Sequence, residues 1–349
     1  MTLLNNLTKI SGDDFTMAEL RFNPITKDWV MIASHRQNRP QMPKDWCPFC
    51  PGPDNDKIPE PYEVLKYDND FPALSVNPPV PDDVDKSVNG IYQTKECYGK
   101  CEVILYSPDH TATLPELSCA HIEKLINLWK ERFDELSKDE KIKYVFIFEN
   151  RGEAVGVTMP HPHGQIYGYS VLPKRIELEM ESAKEHFNKH NSCIFCDMVK
   201  SELEFKERVI IENEHFVTYL PFYTAYPYGV QIASKAHKQN LTEFTENEKK
   251  SLAEILKATV GTLDNLFDMK FPYMMCMYQN PVNCGEDTSD YYHFRIEFFP
   301  PMRSKDKIKF CASSETGVWA HCNPTAPEAV AEELKEAYKK YLASDLAKN

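Results

Sequence analysis

The chain has 349 residues, of which 42% are hydrophobic, enough to bury a substantial core and to exclude a mainly disordered protein. Forty Lys and Arg residues stand against 53 Asp and Glu residues, and the resulting net charge of −13 disfavours a role in coating nucleic acid or membranes. The first residues do not follow a signal-peptide pattern, and no apolar run reaches the roughly 20 residues of a transmembrane helix. We therefore expect a soluble cytoplasmic protein that binds neither nucleic acid nor membranes.

Taken in chain order, the sequence patterns alternate between short strands and amphipathic helices. β-Branched and aromatic runs predict the strands, and apolar residues at three- and four-residue steps predict the helices. Thr245 and Glu248 form a capping box before one of the helices. The predicted elements are a strand at 103–106, a helix at 122–136, strands at 144–148 and 166–171, a charged helix at 176–189, a helix at 252–266, strands at 273–278 and 294–299, and a helix at 327–342 that covers the core.

An internal repeat organises these elements. When the CPFC motif at 47–50 is aligned with the CIFC motif at 193–196, the following strands, helices and histidines come into the same order. Each half contains strands, one crossover helix and further strands. The repeat predicts an α+β fold with antiparallel sheets, in which the halves share one sheet or pack as a pseudo-dimer. We expect domains at 19–175 and 190–345, with the seam at the charged helix.

Eleven cysteines, an odd number, favour free thiols or metal ligands over a disulfide framework. Each CxxC motif places two thiolates on one tight turn, and each half offers two histidines further along the chain as remaining ligands. Two structural zinc ions per chain are the favoured interpretation, with buried free thiols as the alternative. The two ligand sets are Cys47, Cys50, His110 and His161, and Cys193, Cys196, His237 and His293.

The segment HPHGQ at 161–165 carries the strongest catalytic signal. Side chains alternate along a strand, so His161 and His163 share one face and Gln165 follows on it. If His161 binds zinc, His163 remains as a nucleophile toward phosphorus, with a carbonyl holding its imidazole in one tautomer. The alternative is a satisfied polar histidine. Because the second half has Arg295 and Glu297 at the matching positions, we expect one catalytic centre per chain.

The chain resembles the galactose-1-phosphate uridylyltransferases, in the nucleotidyltransferase branch of the histidine triad superfamily. CPFC, NDFPAL, SPDHTATLPEL, FENRG, HPHGQI and FFPPMRSKDKIKF carry the resemblance, which covers nearly the whole chain. It implies two tandem histidine-triad-like halves and an enzyme of galactose metabolism (the Leloir pathway). The implied reaction is ping-pong exchange of UMP between UDP-glucose and galactose 1-phosphate through uridylyl-His163. The resemblance also implies a homodimer whose subunits share their active sites.

The same resemblance implies roles for individual residues. Gln165 matches a glutamine that contacts the transferred phosphoryl group. The nucleoside pocket is matched by Asn69, Asp70 and Phe71, and the phosphate-binding stretch by Asn150, Gly156 and Thr158. The basic residues near the phosphates are matched by Arg36 and Arg39, and the loop that meets the hexose phosphate by Lys309, Phe310 and Glu315.

The chain departs from the family pattern in several places. The positions of a second metal found in some members read Glu179, Gln279, Arg295 and Glu297, so that site is not expected. The second CxxC set instead resembles the second zinc site of the ADP-glucose phosphorylase branch. The hexose loop carries Ser314, Trp319 and His321, which leaves the sugar open.

Three alternative functions remain open at this stage. One is a phosphorylase for ADP-glucose or another nucleotide sugar, with inorganic phosphate as acceptor. The second is a histidine triad hydrolase, which would normally carry a third histidine where this chain has Gln165. The third is a zinc-stapled binding module, which would have no reason for HPHGQ.

Overall fold

The structure is a computed structural model that describes residues 18–34, 36, 46–52, 55, 57–58, 62–81 and 88–347. The described strands are β1 (Ala18–Asn23), β2 (Asp28–Ala33), β3 (Leu65–Asp68), β4 (Thr94–Glu96), β5 (Gly99–Leu105), β6 (Tyr144–Arg151), β7 (His163–Tyr169), β8 (Val209–Glu212), β9 (Phe216–Tyr219), β10 (Gln231–Ser234), β11 (Tyr273–Tyr278), β12 (Arg295–Phe299), β13 (Met302–Ser304) and β14 (Lys307–Ile308). The described α-helices are α1 (Cys119–Ser137), α2 (Lys174–His190), α3 (Ile194–Phe205), α4 (Glu246–Leu266), α5 (Ser313–Val318) and α6 (Pro327–Ala343).

Nine of these strands form one antiparallel sheet, in the order β3-β5-β7-β6-β11-β12-β10-β9-β8. The two halves meet at the β6–β11 pair. On either side of this pair, β7 of the first half corresponds to β12 of the second, and β5 corresponds to β10. Helix α1 crosses from β5 to β6 in the first half, and α4 crosses from β10 to β11 in the second. The α+β class, the two tandem halves and the shared sheet are therefore confirmed.

The two crossover helices cover one face of the sheet. Ile104, Ile147 and Ile166 point to this face and are essentially buried under α1, beside Trp129. Glu102 and Arg132 form a buried bidentate ion pair between β5 and α1, at 2.7 and 2.8 Å. The opposite face of the first half therefore presents the alternate residues of β5, β6 and β7, and the functional cavity lies there.

All four predicted helices are present in the structure, as α1, α2, α4 and α6. The Thr245 backbone N–H donates to the Glu248 carboxylate at 2.8 Å, and the Glu248 N–H donates to the Thr245 hydroxyl at 3.3 Å, which confirms the capping box of α4. Helix α6 buries Val330 and Leu334 against the core, as expected. No helix in the described part of the chain is both long enough and apolar enough to cross a bilayer.

The predicted strand at 166–171 began too late, and two helices were missed. Strand β7 begins at His163, because β5 and β6 supply hydrogen-bonding partners on both sides and outweigh the Pro and Gly composition. Helix α3 begins inside the CIFC turn, and α5 lies in the loop that the sequence assigned to the hexose.

Candidate active site and metal centres

The first CxxC turn meets two distant histidines beside the amino end of β7. The ligand atoms of Cys47, Cys50, His110 and His161 all lie within 4.8 Å of one another. Cys50 Sγ lies 3.4 Å from His110 Nδ1 and 3.6 Å from His161 Nδ1. The Nε2–H of His161 donates to the Ser107 carbonyl at 2.9 Å, which turns Nδ1 toward the thiols.

The second CxxC turn repeats this geometry. Cys193, Cys196, His237 and His293 again place their ligand atoms within 4.8 Å of one another. Cys196 Sγ lies 3.2 Å from His237 Nδ1 and 3.4 Å from His293 Nδ1. Each histidine donates its Nε2–H to a backbone carbonyl, His237 to Ser289 at 2.7 Å and His293 to Ser234 at 2.9 Å.

Both donor sets suit a tetrahedral zinc ion. Zinc bonds of about 2.3 Å to sulfur and about 2.0 Å to nitrogen place the two ligand atoms roughly 3.5 Å apart at tetrahedral angles. The sulfur–nitrogen separations of 3.2 to 3.6 Å agree with that spacing. Two clusters that could each hold a metal ion are therefore present.

His163 lies two residues beyond His161 of the first Cys₂His₂ cluster, at the start of β7. Its Nδ1–H donates to the carbonyl oxygen of His161 at 2.7 Å, so the lone pair is on Nε2. This is the tautomer that the sequence analysis expected of a nucleophile. The Phe49 ring packs edge-on against the His163 imidazole, with 5.4 Å between ring centroids, and links the first CxxC turn to this side chain.

A cavity of about 550 Å³ opens over the face of β5, β7 and β6 that lies opposite α1. His163 and Gln165 line it from β7, and Phe148 and Asn150 line it from β6. Nine residues predicted for the active site line this cavity: Arg36, Asn69, Asp70, Phe71, Asn150, Gly156, Thr158, His163 and Gln165. Arg39 lies outside the described residues.

Asp70 places a carboxylate at the rim of this cavity. The Tyr67 hydroxyl donates to its Oδ2 at 2.5 Å, and Lys57 Nζ donates to its Oδ1 at 2.9 Å. Burial raises the pKa of Asp70, but these two hydrogen bonds outweigh it and hold the pKa below its ordinary value. The carboxylate is therefore an anion at neutral pH and accepts hydrogen bonds only.

Comparison with known proteins places this geometry in one family. Residues 8–173 match the family model of the galactose-1-phosphate uridyl transferase N-terminal domain, and residues 179–313 match that of the C-terminal domain. The chain belongs to the galactose-1-phosphate uridyl transferase family. This result confirms the family that the sequence motifs indicated, and with it the class of enzyme.

Individual relatives match over most of the chain. The galactose-1-phosphate uridylyltransferase of Thermotoga maritima is 43% identical over 321 residues, which cover 92% of this chain and 98% of the relative. The enzyme of the same name from Haemophilus influenzae is 36% identical over 314 residues, which cover 84% of this chain and 87% of the relative. A solved uridylyltransferase structure matches with a TM-score of 0.84 at 32% identity, over 92% of this chain and 99% of that one. An Arabidopsis thaliana ADP-glucose phosphorylase with bound ADP-glucose matches with a TM-score of 0.69 at 25% identity, over 91% and 99% of the two chains.

The three residues assigned to the hexose lie on the second half of this uridyl transferase family member. Lys309 is buried over the Tyr226 ring, with its Nζ 3.4 Å from a Glu315 carboxylate oxygen. Phe310 is 76% exposed. None of these three described residues lines the His163 cavity of its own chain.

The second-half counterpart of the catalytic strand is closed by ion pairs. Arg295 donates to Glu297 at 2.8 Å and lies 2.7 Å from Glu179 of α2, while the Phe195 ring of α3 stacks on its guanidinium. Burial raises the pKa of Glu179, but the arginines beside it have the larger effect and lower it. Gln279 directs its carbonyl oxygen to the Leu241 N–H at 2.9 Å. The Arg295 guanidinium thus pairs with both carboxylates of this set, Glu179 and Glu297.

Sequence reasoning missed several aromatic residues of the site. Phe49, Tyr67, Phe148 and Tyr167 all line the cavity. One signal was available for Phe49, which stands between the two cysteines of the first CxxC motif. The other three alternate with core residues on β3, β6 and β7. Strand alternation already places Tyr167 on the face of His163 and Gln165, whereas only the packing of the strands shows that Tyr67 and Phe148 face the cavity.

Proposed function

We propose that this chain exchanges UMP between UDP-glucose and galactose 1-phosphate in galactose metabolism, giving UDP-galactose and glucose 1-phosphate. The observation that carries the proposal is His163, whose tautomer is held by the His161 carbonyl at 2.7 Å inside a cavity of about 550 Å³. Cavities of this size are typical of small-molecule sites. The relatives that match over most of the chain are named for this activity.

In the first half-reaction, His163 Nε2 attacks the α-phosphorus of UDP-glucose. A nitrogen–phosphorus bond forms, the bond from phosphorus to the bridging oxygen breaks, and glucose 1-phosphate leaves with the electron pair. The imidazole becomes cationic in this step, and the His161 carbonyl that accepts its Nδ1–H stabilises that charge. In the second half-reaction, a phosphate oxygen of galactose 1-phosphate attacks the same phosphorus, and His163 departs as neutral imidazole.

The other lining residues have chemistry that suits the parts of such a substrate. The Gln165 amide donates to the transferred phosphoryl group, and Arg36 neutralises phosphate charge. Asn150, Gly156 and Thr158 lie along the same phosphates, and Arg39 is assigned there by resemblance. Asn69, Asp70 and Phe71 hold the nucleoside, where an anionic carboxylate can accept hydrogen bonds from ribose hydroxyls.

We assign zinc to both Cys₂His₂ clusters. The first would be held by Cys47, Cys50, His110 and His161 and the second by Cys193, Cys196, His237 and His293. Zinc in such closed sites supplies folding stability and takes no part in bond changes. None of the eleven cysteines forms a disulfide, which suits a reducing cytoplasm.

The working unit is proposed to be a homodimer with shared active sites. Lys309, Phe310 and Glu315 do not line the cavity of their own chain, and Phe310 is 76% exposed. A second copy of the chain can bring these residues to the hexose phosphate. Within each chain, the proposed domains remain 19–175, which holds the catalytic histidine, and 190–345, which lacks it.

The direct test is intact mass spectrometry after incubation with UDP-glucose. Wild-type chain should gain the mass of one UMP, and galactose 1-phosphate should remove it. His163→Ala keeps every metal ligand and should fold normally, without adduct or turnover. Wild-type kinetics should give parallel double-reciprocal lines, and intersecting lines without any adduct would contradict the covalent mechanism.

The competing function is a nucleotide-sugar phosphorylase, and the structural match to an ADP-glucose phosphorylase motivates including it. The same assay separates the two functions when ADP-glucose replaces UDP-glucose and inorganic phosphate replaces galactose 1-phosphate. Preferential adduct formation from ADP-glucose, discharged by phosphate alone, would favour the phosphorylase.

A further inference from the structure

The side-chain amide of Gln165 can adopt two orientations of nearly identical shape. In one, the NH₂ group faces the cavity and can donate a hydrogen bond to a phosphoryl oxygen. In the other, the carbonyl oxygen faces the cavity and would repel the phosphoryl oxygens. The reaction therefore depends on a contact that selects the first orientation.

Tyr167 makes that contact. It lies two residues after Gln165 on the same face of β7, and its hydroxyl donates to Gln165 Oε1 at 3.2 Å. The ring is only 7% exposed and packs edge-on against Phe148, with 5.1 Å between centroids. The hydroxyl therefore has a fixed position beside the amide.

The direction of this hydrogen bond depends on the phenol keeping its proton. Burial and the nearby Cys101 raise the pKa of Tyr167, and attraction to Arg36 and hydrogen bonding with it only partly offset the rise. The phenol is therefore protonated at neutral pH and can donate its proton to Gln165 Oε1 at 3.2 Å.

We infer that Tyr167 is a positioning residue that holds the Gln165 carbonyl away from the transferred phosphoryl group and presents the Gln165 NH₂ group to it. The inference rests on the proposed function, in which Gln165 donates to that group. Tyr167 acts through Gln165 and needs no contact with the reacting atoms. The Tyr167 contact orders the Gln165 amide before substrate binds, which removes an ordering cost from the chemical step.

A double-mutant cycle tests this inference with the full-length chain. The readouts are the single-turnover rate of adduct formation from UDP-glucose and the dissociation constant of UDP-glucose. Tyr167→Phe should slow adduct formation about three- to tenfold, the effect of one hydrogen bond, while UDP-glucose affinity changes less than about twofold. In a Gln165→Ala background, the same substitution should change the rate less than about twofold.

Tyr169→Phe is the matched control. It removes one hydroxyl from the same face of β7, two residues beyond Tyr167, and should leave adduct formation at the wild-type rate. A Tyr167→Phe protein that reacts as fast as wild type would overturn the inference. So would an equal slowing in the Gln165→Ala background, because Tyr167 would then act directly or through folding. A wild-type chain that forms no adduct with UDP-glucose would overturn the proposed function, and this inference with it.

Discussion

Glu149 illustrates how strongly its surroundings alter the chemistry of a single side chain. It lies on β6, on the face opposite the cavity, and is only 7% exposed. The Tyr273 hydroxyl donates to its Oε1 at 3.1 Å, while its buried Oε2 has no hydrogen-bond partner among the described residues. Burial raises the pKa of Glu149 to about 7, although Arg151 and two tyrosines oppose the rise. The folded chain therefore binds a proton that the unfolded chain releases near pH 4.5.

Glu149→Gln should stabilise the protein at alkaline pH and have little effect at acid pH. Because the folded-state pKa is the higher one, the contribution of Glu149 to wild-type stability falls as pH rises from about 4.5 through 7, and it stays lower above that. Glutamine has the same shape and carries no charge to bury, so the free energy of unfolding of the variant at pH 8 should exceed that of wild type by up to roughly 3 kcal/mol. Urea unfolding at pH 5, 6.5 and 8 measures this gain.

Glu153→Gln serves as the control for this titration, because Glu153 is exposed on a short turn after β6. It should show no pH-dependent difference from wild type. A gain in Glu149→Gln that is equal at pH 5 and pH 8 would mean that packing, and not the buried charge, is responsible.

At the scale of elements, the two CxxC turns differ in what surrounds them. The first carries Phe49, which packs against the proposed nucleophile His163, and His161 of the same cluster lies two residues from His163. The second begins helix α3, and Cys193 is buried in a cluster with Phe195 and Tyr292. Similar ligand geometry therefore supports the active site in one half and helix packing in the other.

Cys47→Ser and Cys193→Ser should each reduce the zinc content from about two ions per chain to about one. Both should lower the thermal unfolding temperature, because ligand loss leaves a strained and partly charged cluster. The Cys47 change should slow adduct formation more, through Phe49 and His161. Elemental analysis, thermal unfolding and the adduct assay give the three readouts.

Cys322→Ser is the matched control for these two variants, because Cys322 is an exposed thiol outside both clusters. Its zinc content and unfolding temperature should equal those of wild type. A wild-type chain with one zinc that Cys193→Ser does not alter would contradict the second site.

For the whole molecule, the proposed homodimer with shared sites makes a prediction about which chain supplies the loop from Lys309 to Glu315 to each cavity. The described structure places the first-half residues around His163 and the loop from Lys309 to Glu315 on the other half. A site built from two copies requires a closed, symmetric dimer, in which each chain lends its loop to the other.

Complementation between two inactive variants tests this arrangement. His163→Ala removes the nucleophile, and Glu315→Ala removes a loop carboxylate, so each homodimer should be nearly inactive. When the two variants are unfolded together and refolded in equal amounts, half of the dimers should contain one chain of each variant. One of the two sites in each of these mixed dimers should be intact. We expect about one quarter of the wild-type activity per chain. Mixed dimers that are verified by native mass spectrometry but remain inactive would contradict shared sites.

Local patterns in the sequence determined the repeat, the α+β class, both Cys₂His₂ ligand sets and the face shared by His163 and Gln165. The α+β class and the shared face depend on residues that are close in sequence or on strand alternation, which requires no knowledge of packing. The two Cys₂His₂ sets follow from the repeat, because each half has a CxxC motif followed by two histidines in the same order. The capping box of α4 was predictable for the same reason. The strand at HPHGQ was placed too late because its pairing energy comes from β5 and β6, far along the chain.

Only the tertiary structure decided which side chains meet across strands. The joining of the halves through β6 and β11 and the packing of Phe49 on His163 depend on sheet register and side-chain burial. The closure of the second-half face by Arg295, Glu179 and Phe195 likewise needs α2 and α3 to fold over β12. Such contacts join residues distant in sequence, and their geometry is set by the packing of the whole chain and by no local pattern.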